Sequence, residues 1–276
     1  MKQKILSISL LLISCISIGQ TLPEIVSETE FTIGKSIKIE SIVLGEARDL
    51  NIYLPLTYSE DSSKNYPVIY LLDGSKDEDF IHISGIVQFG SFSWINMIPE
   101  SIVVGIGNVD RVRDFTYPSQ NELDQSEFPT SGKSENFIAF LQQELQPFID
   151  STFRTTEVKT IIGQSLGGLL ATEILFKKPE LFDNYIIVSP SLWWDDEKLL
   201  GAQSASSDSN KSIYVAGGKE GEIMERTAKE LFDKLSNNQK ENKQLFYEFL
   251  EDKTHGDALH SAVYNAFEKI FKAEKK

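Results

Sequence analysis

The chain has a single cysteine, Cys15, and it stands inside an N-terminal stretch that the mature protein is expected to lose. Without it no disulfide and no thiolate chemistry are available, and zinc sites built on cysteine are excluded. Stability has to come from a core, for which 17 Phe and 9 Tyr supply the bulk. Basic residues are also scarce: 27 Lys and Arg face 41 Asp and Glu, a net charge of −14. Such a surface repels phosphate backbones, so no nucleic-acid partner is expected. Long apolar runs are missing except at the start. There, residues 5–18 follow Lys2 and Lys4 and carry no charge, a run too short for a good membrane span.

A positive start, an apolar stretch and small residues at Ser17-Ile18-Gly19 form the layout of a secretory signal over residues 1–19, with Gln20 as the new N-terminus. Loss of Lys2 and Lys4 then takes the charge to −16, because residues 1–19 hold no acid. The segment LISC offers a second reading, lipidation of Cys15 and anchoring. On either reading the protein is expected outside the cytoplasm, periplasmic or secreted, with residues 20–276 as one domain.

Beyond the signal, RDLNIYLPL places Leu50, Ile52 and Leu54 on one face of a half-buried strand, part of an opening antiparallel pair or trio. From residue 66 the texture changes. YPVIYLLDG, SIVVGIGN, KTIIGQS, NYIIVSPS and KSIYVAGG are short apolar runs ending in Gly, Asp, Asn or Ser, as strands buried on both faces do. Helical spacing predicts crossover helices over 135–149, 166–178, 224–235 and 257–272, and LFYEFLED predicts a last strand. The order implies one α/β domain with a mixed, mainly parallel sheet and helices on both faces.

Between one such strand and one such helix sits Gly163-Gln164-Ser165-Leu166-Gly167. Glycines at this spacing permit a sharp turn that lifts a hydroxyl above the sheet, and the Leu166 N–H would help hold an oxyanion at the helix start. A tight turn with Ser165 as helix cap is the bland alternative. A nucleophilic serine needs a base. Of His82, His255 and His260, only His255 falls on a late loop between the last strand and last helix, where the chain order serine, acid, histidine puts it. The acid is expected after SIYVAGG, where Glu220 and Glu222 are the candidates and Glu220 is nearer the strand end. Asp195 or Asp196 is the fallback, and a dyad without an acid remains open. The second oxyanion donor is expected from Gly74 or Ser75, after YPVIYLLDG, with Gly74 letting the backbone approach the substrate.

NYPVIYLLDG, VVGIGNVDRVRDFTYP, GQSLGGL, SPSLWWD and THG together resemble an esterase family of the α/β-hydrolase superfamily, the one holding esterase D-like enzymes and bacterial siderophore (enterochelin-type) esterases. The resemblance spans about residues 35 to 272 and keeps the family's block order. It implies the α/β-hydrolase fold, Ser165 as nucleophile, His255 as base, and an active site bordered by residues 111–116 and 191–194. Arg113 could hold an anionic or catecholate substrate, or instead pair with Asp114 or another acid. Trp193 and Trp194 could stack on a ring, or one of them could be core. Parts of the family work with a serine–histidine pair alone.

The expected function is hydrolysis of a carboxylic ester through an acyl-enzyme, with no cofactor and no metal. A siderophore ester or an acylated polysaccharide is the expected partner. An acyltransferase on the same fold, or a hydrolase-fold binding protein without catalysis, are the competing readings. No motif in the sequence sets an oligomeric state.

Overall fold

The computed structural model describes residues 22–202, 211–237 and 244–272. The chain divides into two units, Met1–Thr32 and Ile33–Lys276. In the first, residues 22–32 are exposed and form no helix or strand. The expected signal over residues 1–19, with Cys15, lies outside the described residues. Among the described residues no helix is long and apolar enough to cross a membrane.

The second unit is built on a sheet ordered β1-β2-β4-β3-β5-β6-β7-β8. These strands are β1 (Lys35–Ser41), β2 (Glu46–Tyr53), β3 (Tyr66–Leu71), β4 (Ile102–Ile106), β5 (Thr155–Gln164), β6 (Asn184–Val188), β7 (Ser212–Gly218) and β8 (Gln244–Leu250). β2 runs antiparallel to both β1 and β4, and every other pairing is parallel.

Side chains alternate across this sheet, so each continuous apolar run feeds two cores. Val68, Tyr70 and Leu72, with Tyr185, Ile187, Ile213 and Val215, point into one. Ile69, Leu71, Ile186, Val188, Tyr214 and Ala216 point into the other. The second core is closed by α1 (Phe80–Ser91) and α9 (Ala258–Phe271). The first is closed by α2 (Arg111–Phe115), α4 (Ser134–Phe140), α5 (Gln146–Thr152), α6 (Leu166–Lys177) and α8 (Glu222–Asn237), with short α3 (Glu122–Glu127) and α7 (Trp194–Gly201) beside them. Each such Val, Leu or Ile taken fully out of water stabilises by about 1.5–3 kcal/mol.

Two local departures from the expected helices have plain causes. The helix expected over 135–149 is broken by a π-helical turn, Leu141–Leu145, between α4 and α5. Pro147 at the start of α5 has no N–H to give the preceding turn, so the ladder widens there. α1 was not expected at all. Its buried Phe80, Ile83 and Val87 have helical spacing, but exposed Ile81 and Phe89 on the same short helix blur the pattern.

Candidate active site

β5 ends at Gln164 and α6 starts at Leu166, leaving Ser165 alone at the turn with φ 60° and ψ −121°. That backbone is costly for a residue with a Cβ, about 1–3 kcal/mol. Its neighbours permit it. A Cβ on Gly163 would stand 2.4 Å from the Gly167 carbonyl oxygen, and one on Gly168 would stand 2.9 Å from Pro190 Cα. Only glycine fits either place. The Ser165 hydroxyl makes no capping bond to α6, which removes the helix-cap explanation. Its backbone is fixed instead by the next strand, Ser165 N–H donating to the Val188 carbonyl and Ser191 N–H to the Ser165 carbonyl.

Two further non-glycine residues have positive φ just past strand ends: Asp73 (54°) after β3 and Ser189 (44°) after β6. The three sit side by side in the strand order, on the edge outside the strand C-termini where ligands of α/β sheets bind. Ser165 Oγ lies 3.3 Å from Ser191 Oγ.

His255 stands on the loop between β8 and α9, its side chain about half exposed. Its Nδ1 is 2.6 Å from Glu220 Oε2. Glu220 follows β7 and its side chain is 2 % exposed. The other oxygen, Oε1, accepts from the Ser189 hydroxyl at 2.5 Å and from the Gly218 N–H at 2.9 Å. Burial alone would push this carboxyl up. The bonds from His255, Ser189 and Gly218 outweigh it and hold the group below the usual carboxylate range. Glu220 is therefore an anion placed to fix one imidazole tautomer and to stabilise the imidazolium.

A second tie reaches the serine. The Gln164 amide Nε2 donates to the His255 carbonyl at 2.6 Å, so the histidine loop is fastened to the residue before Ser165. Among the described residues the Ser165 hydroxyl is hydrogen-bonded to Ser191 and not to His255. Such bonds often tighten only with substrate bound.

The remaining candidates fall elsewhere. Glu222 is exposed at the first position of α8. Asp195 accepts from the Gln120 N–H and the Ser119 hydroxyl, and Asp196 accepts from Asn121. His82 and His260 stack on each other at 3.8 Å between α1 and α9, with His260 Nε2 3.3 Å from Asp79. Among the described residues no group of three or more His, Cys, Asp or Glu is arranged to hold a metal ion.

Three expected substrate contacts need correction. The Gly74 N–H donates to the Ile106 carbonyl at 3.0 Å and is not free to meet an oxyanion. Its missing Cβ serves packing, since a Cβ there would lie 2.3 Å from Gly105 Cα of β4. The Ser75 N–H, the other donor considered, lies 3.3 Å from Glu78 Oε2. Leu166 does stand at the first turn of α6, where N–H groups have no intrahelical acceptor.

Arg113 is spent on acids of its own fold, with Nη1 3.0 Å from Glu46 and Nε 2.8 Å from Asp114. Buried Arg48 joins the same two carboxylates. Trp194 is fully buried, donates its indole N–H to the Tyr117 carbonyl and packs edge-on to Phe128. It is core. Trp193 beside it is half-buried.

Arg111, in the segment that the resemblance sets at the border of the site, clamps Asp73 in a two-pronged ion pair and reaches the Gln164 carbonyl at 3.3 Å, partners the sequence does not announce. Sequence reasoning passed over Ser189, whose place directly after a strand that flanks β5 was the available signal.

The family model described as "Putative esterase" matches residues 41–275. The ferri-bacillibactin esterase BesA of Bacillus subtilis is 31% identical over 69% of this chain and 74% of its own length. An IroE-like serine hydrolase from Shewanella oneidensis superposes with a TM-score of 0.76 at 29% identity, covering 87% of this chain and 80% of that one. The BES protein from Bacillus cereus superposes with a TM-score of 0.76 at 25% identity, over 91% of this chain and 98% of that one. With the eight-stranded mixed sheet and helices on both faces, these likenesses make the fold that of the α/β-hydrolases. The chain belongs to this esterase family, and it is an ester hydrolase.

Proposed function

We propose that the protein is an exported serine esterase whose substrate is a siderophore ester. The observation that carries the mechanism is the buried Glu220 anion 2.6 Å from His255, on a loop that Gln164 fastens to the Ser165 turn. Relatives whose names state siderophore ester hydrolysis support the substrate class.

In the reaction His255 Nε2 takes the Ser165 proton as Oγ attacks the ester carbonyl. Glu220 holds Nδ1–H and steadies the imidazolium that results. The tetrahedral oxyanion forms beside the start of α6, where the Leu166 N–H donates to it. Collapse breaks the ester C–O bond. The leaving alkoxide collects the proton from His255, and the acyl group stays on Ser165. A water then gives its proton to His255 and attacks the acyl carbonyl. The second collapse releases the acid and returns the proton to Ser165. No residue in this cycle calls for a metal or cofactor.

Export is proposed from the residue 1–19 layout. The test is hydrolysis of p-nitrophenyl acetate and butyrate, then of a ferric catecholate trilactone followed by mass spectrometry, by wild type, Ser165→Ala and His255→Ala. Ester cleavage by wild type that both changes abolish is expected. Cleavage of the small esters without any opening of the trilactone contradicts the substrate class and leaves an acylated glycan as the next to try. Equal activity in all three proteins contradicts the mechanism.

A further inference from the structure

The glutamine inside the turn motif is a junction between the two halves of the site. Its main-chain carbonyl accepts from Arg111 Nη2 at 3.3 Å, and Arg111 is held by two hydrogen bonds to Asp73, 2.6 and 2.9 Å long. Asn108 donates to the same Asp73 carboxylate at 2.7 Å. The Gln164 side chain points the other way and donates to the His255 carbonyl at 2.6 Å. Because that acceptor is a carbonyl oxygen, only the amide nitrogen can face it, which settles the orientation of the amide.

The His255 loop has few other anchors. Lys219 N–H donates to the Lys253 carbonyl at 2.6 Å, and Asp257 folds back on Thr254 within the loop. Glu220 holds the ring at one point, Nδ1. A second point on the same residue, its own carbonyl, holds the backbone from which the ring is hung.

We infer that Gln164 is a positioning residue: through the His255 carbonyl it sets where the imidazole stands relative to Ser165, one residue away along the chain. The inference rests on the serine-esterase reading above. Ser165 and the clasp share one peptide bond, so a shift in the β5 turn moves nucleophile and base together. A base about 1 Å out of place costs on the order of 100-fold in rate.

The test compares wild type, Gln164→Met, Gln164→Glu and Ser165→Ala on p-nitrophenyl butyrate. Methionine keeps the length and lacks the donor. Glutamate keeps the shape and sets a carboxylate against a carbonyl. Expected is a kcat about 10- to 100-fold lower for Gln164→Met, with KM within about twofold and fluorophosphonate labelling of Ser165 slowed by the same factor. Gln164→Glu falls further at neutral pH. Thermal unfolding of both variants stays within a few degrees of wild type, as loss of one exposed hydrogen bond implies.

Wild-type kcat in Gln164→Met, beside Ser165-dependent turnover in wild type, overturns the positioning role alone. So does a kcat that drops only in step with the folded fraction. Turnover in wild type that survives Ser165→Ala, or no labelling of Ser165, overturns the serine mechanism and this role with it.

Discussion

His255 Nδ1 and Glu220 Oε2 stand 2.6 Å apart, the imidazole about half exposed and the carboxylate 2 % exposed. The acid is buried because it is satisfied: Ser189 and the Gly218 N–H take its other oxygen. A charge hidden this well orients the histidine without competing for solvent.

Glu220→Gln keeps the shape and loses the charge, so kcat on a small ester is expected to fall about 100- to 10,000-fold. Glu222→Gln, at an exposed helix start, is expected to leave kcat within about twofold. Steady-state kinetics of the two variants check this, and similar losses in both contradict the assignment.

Acid is expected to weaken the fold through the same carboxylate. Its hydrogen bonds hold the folded pKa below the unfolded value of 4.5. The stability Glu220 contributes is complete above 4.5 and disappears as pH falls through the lower folded value. Thermal unfolding from pH 6 to pH 3 should therefore show wild type losing its margin over Glu220→Gln as the pH drops. A constant margin contradicts this.

The two tryptophans separate by burial. Trp194→Ala removes a fully buried ring and its bond to Tyr117, and is expected to destabilise by about 3–5 kcal/mol. Trp193→Ala, half-buried, costs less and leaves the fold intact. Denaturant unfolding of each decides it.

Arg113→Met is expected to leave KM for an anionic ester within about twofold, because Glu46 and Asp114 already occupy the guanidinium. It should lower stability instead, by stripping a partner from the Asp114 side chain, which is 2 % exposed. A KM rise above tenfold at unchanged stability contradicts this.

Much of the frame was readable because its causes are local. Short apolar runs closed by small residues mark β3 to β7, and glycines on both sides of Ser165 mark the turn. Chain order placed His255 on the last loop and set the acid after β7, where Glu220 and Glu222 both stand. What stayed undecided or escaped depends on distant partners or on backbone direction. Glu46, which engages Arg113, is 67 residues away, and Tyr117, which holds Trp194, is 77 residues away. The Gly74 N–H turns to Ile106, a choice made by the pairing of β3 with β4 and by nothing in DGS. In α7, Asp195, Asp196 and Glu197 all take positive φ, which no propensity foretells. Asp195 is compensated by Asp124, Ser119 and Gln120.

The most direct measurement of a nucleophilic Ser165 is fluorophosphonate labelling of the protein, with the adduct mapped by peptide mass spectrometry. A Ser165–His255 mechanism predicts one adduct, on Ser165, absent in Ser165→Ala and formed far more slowly in His255→Ala. No adduct, or one on Ser191 or another serine, would contradict it.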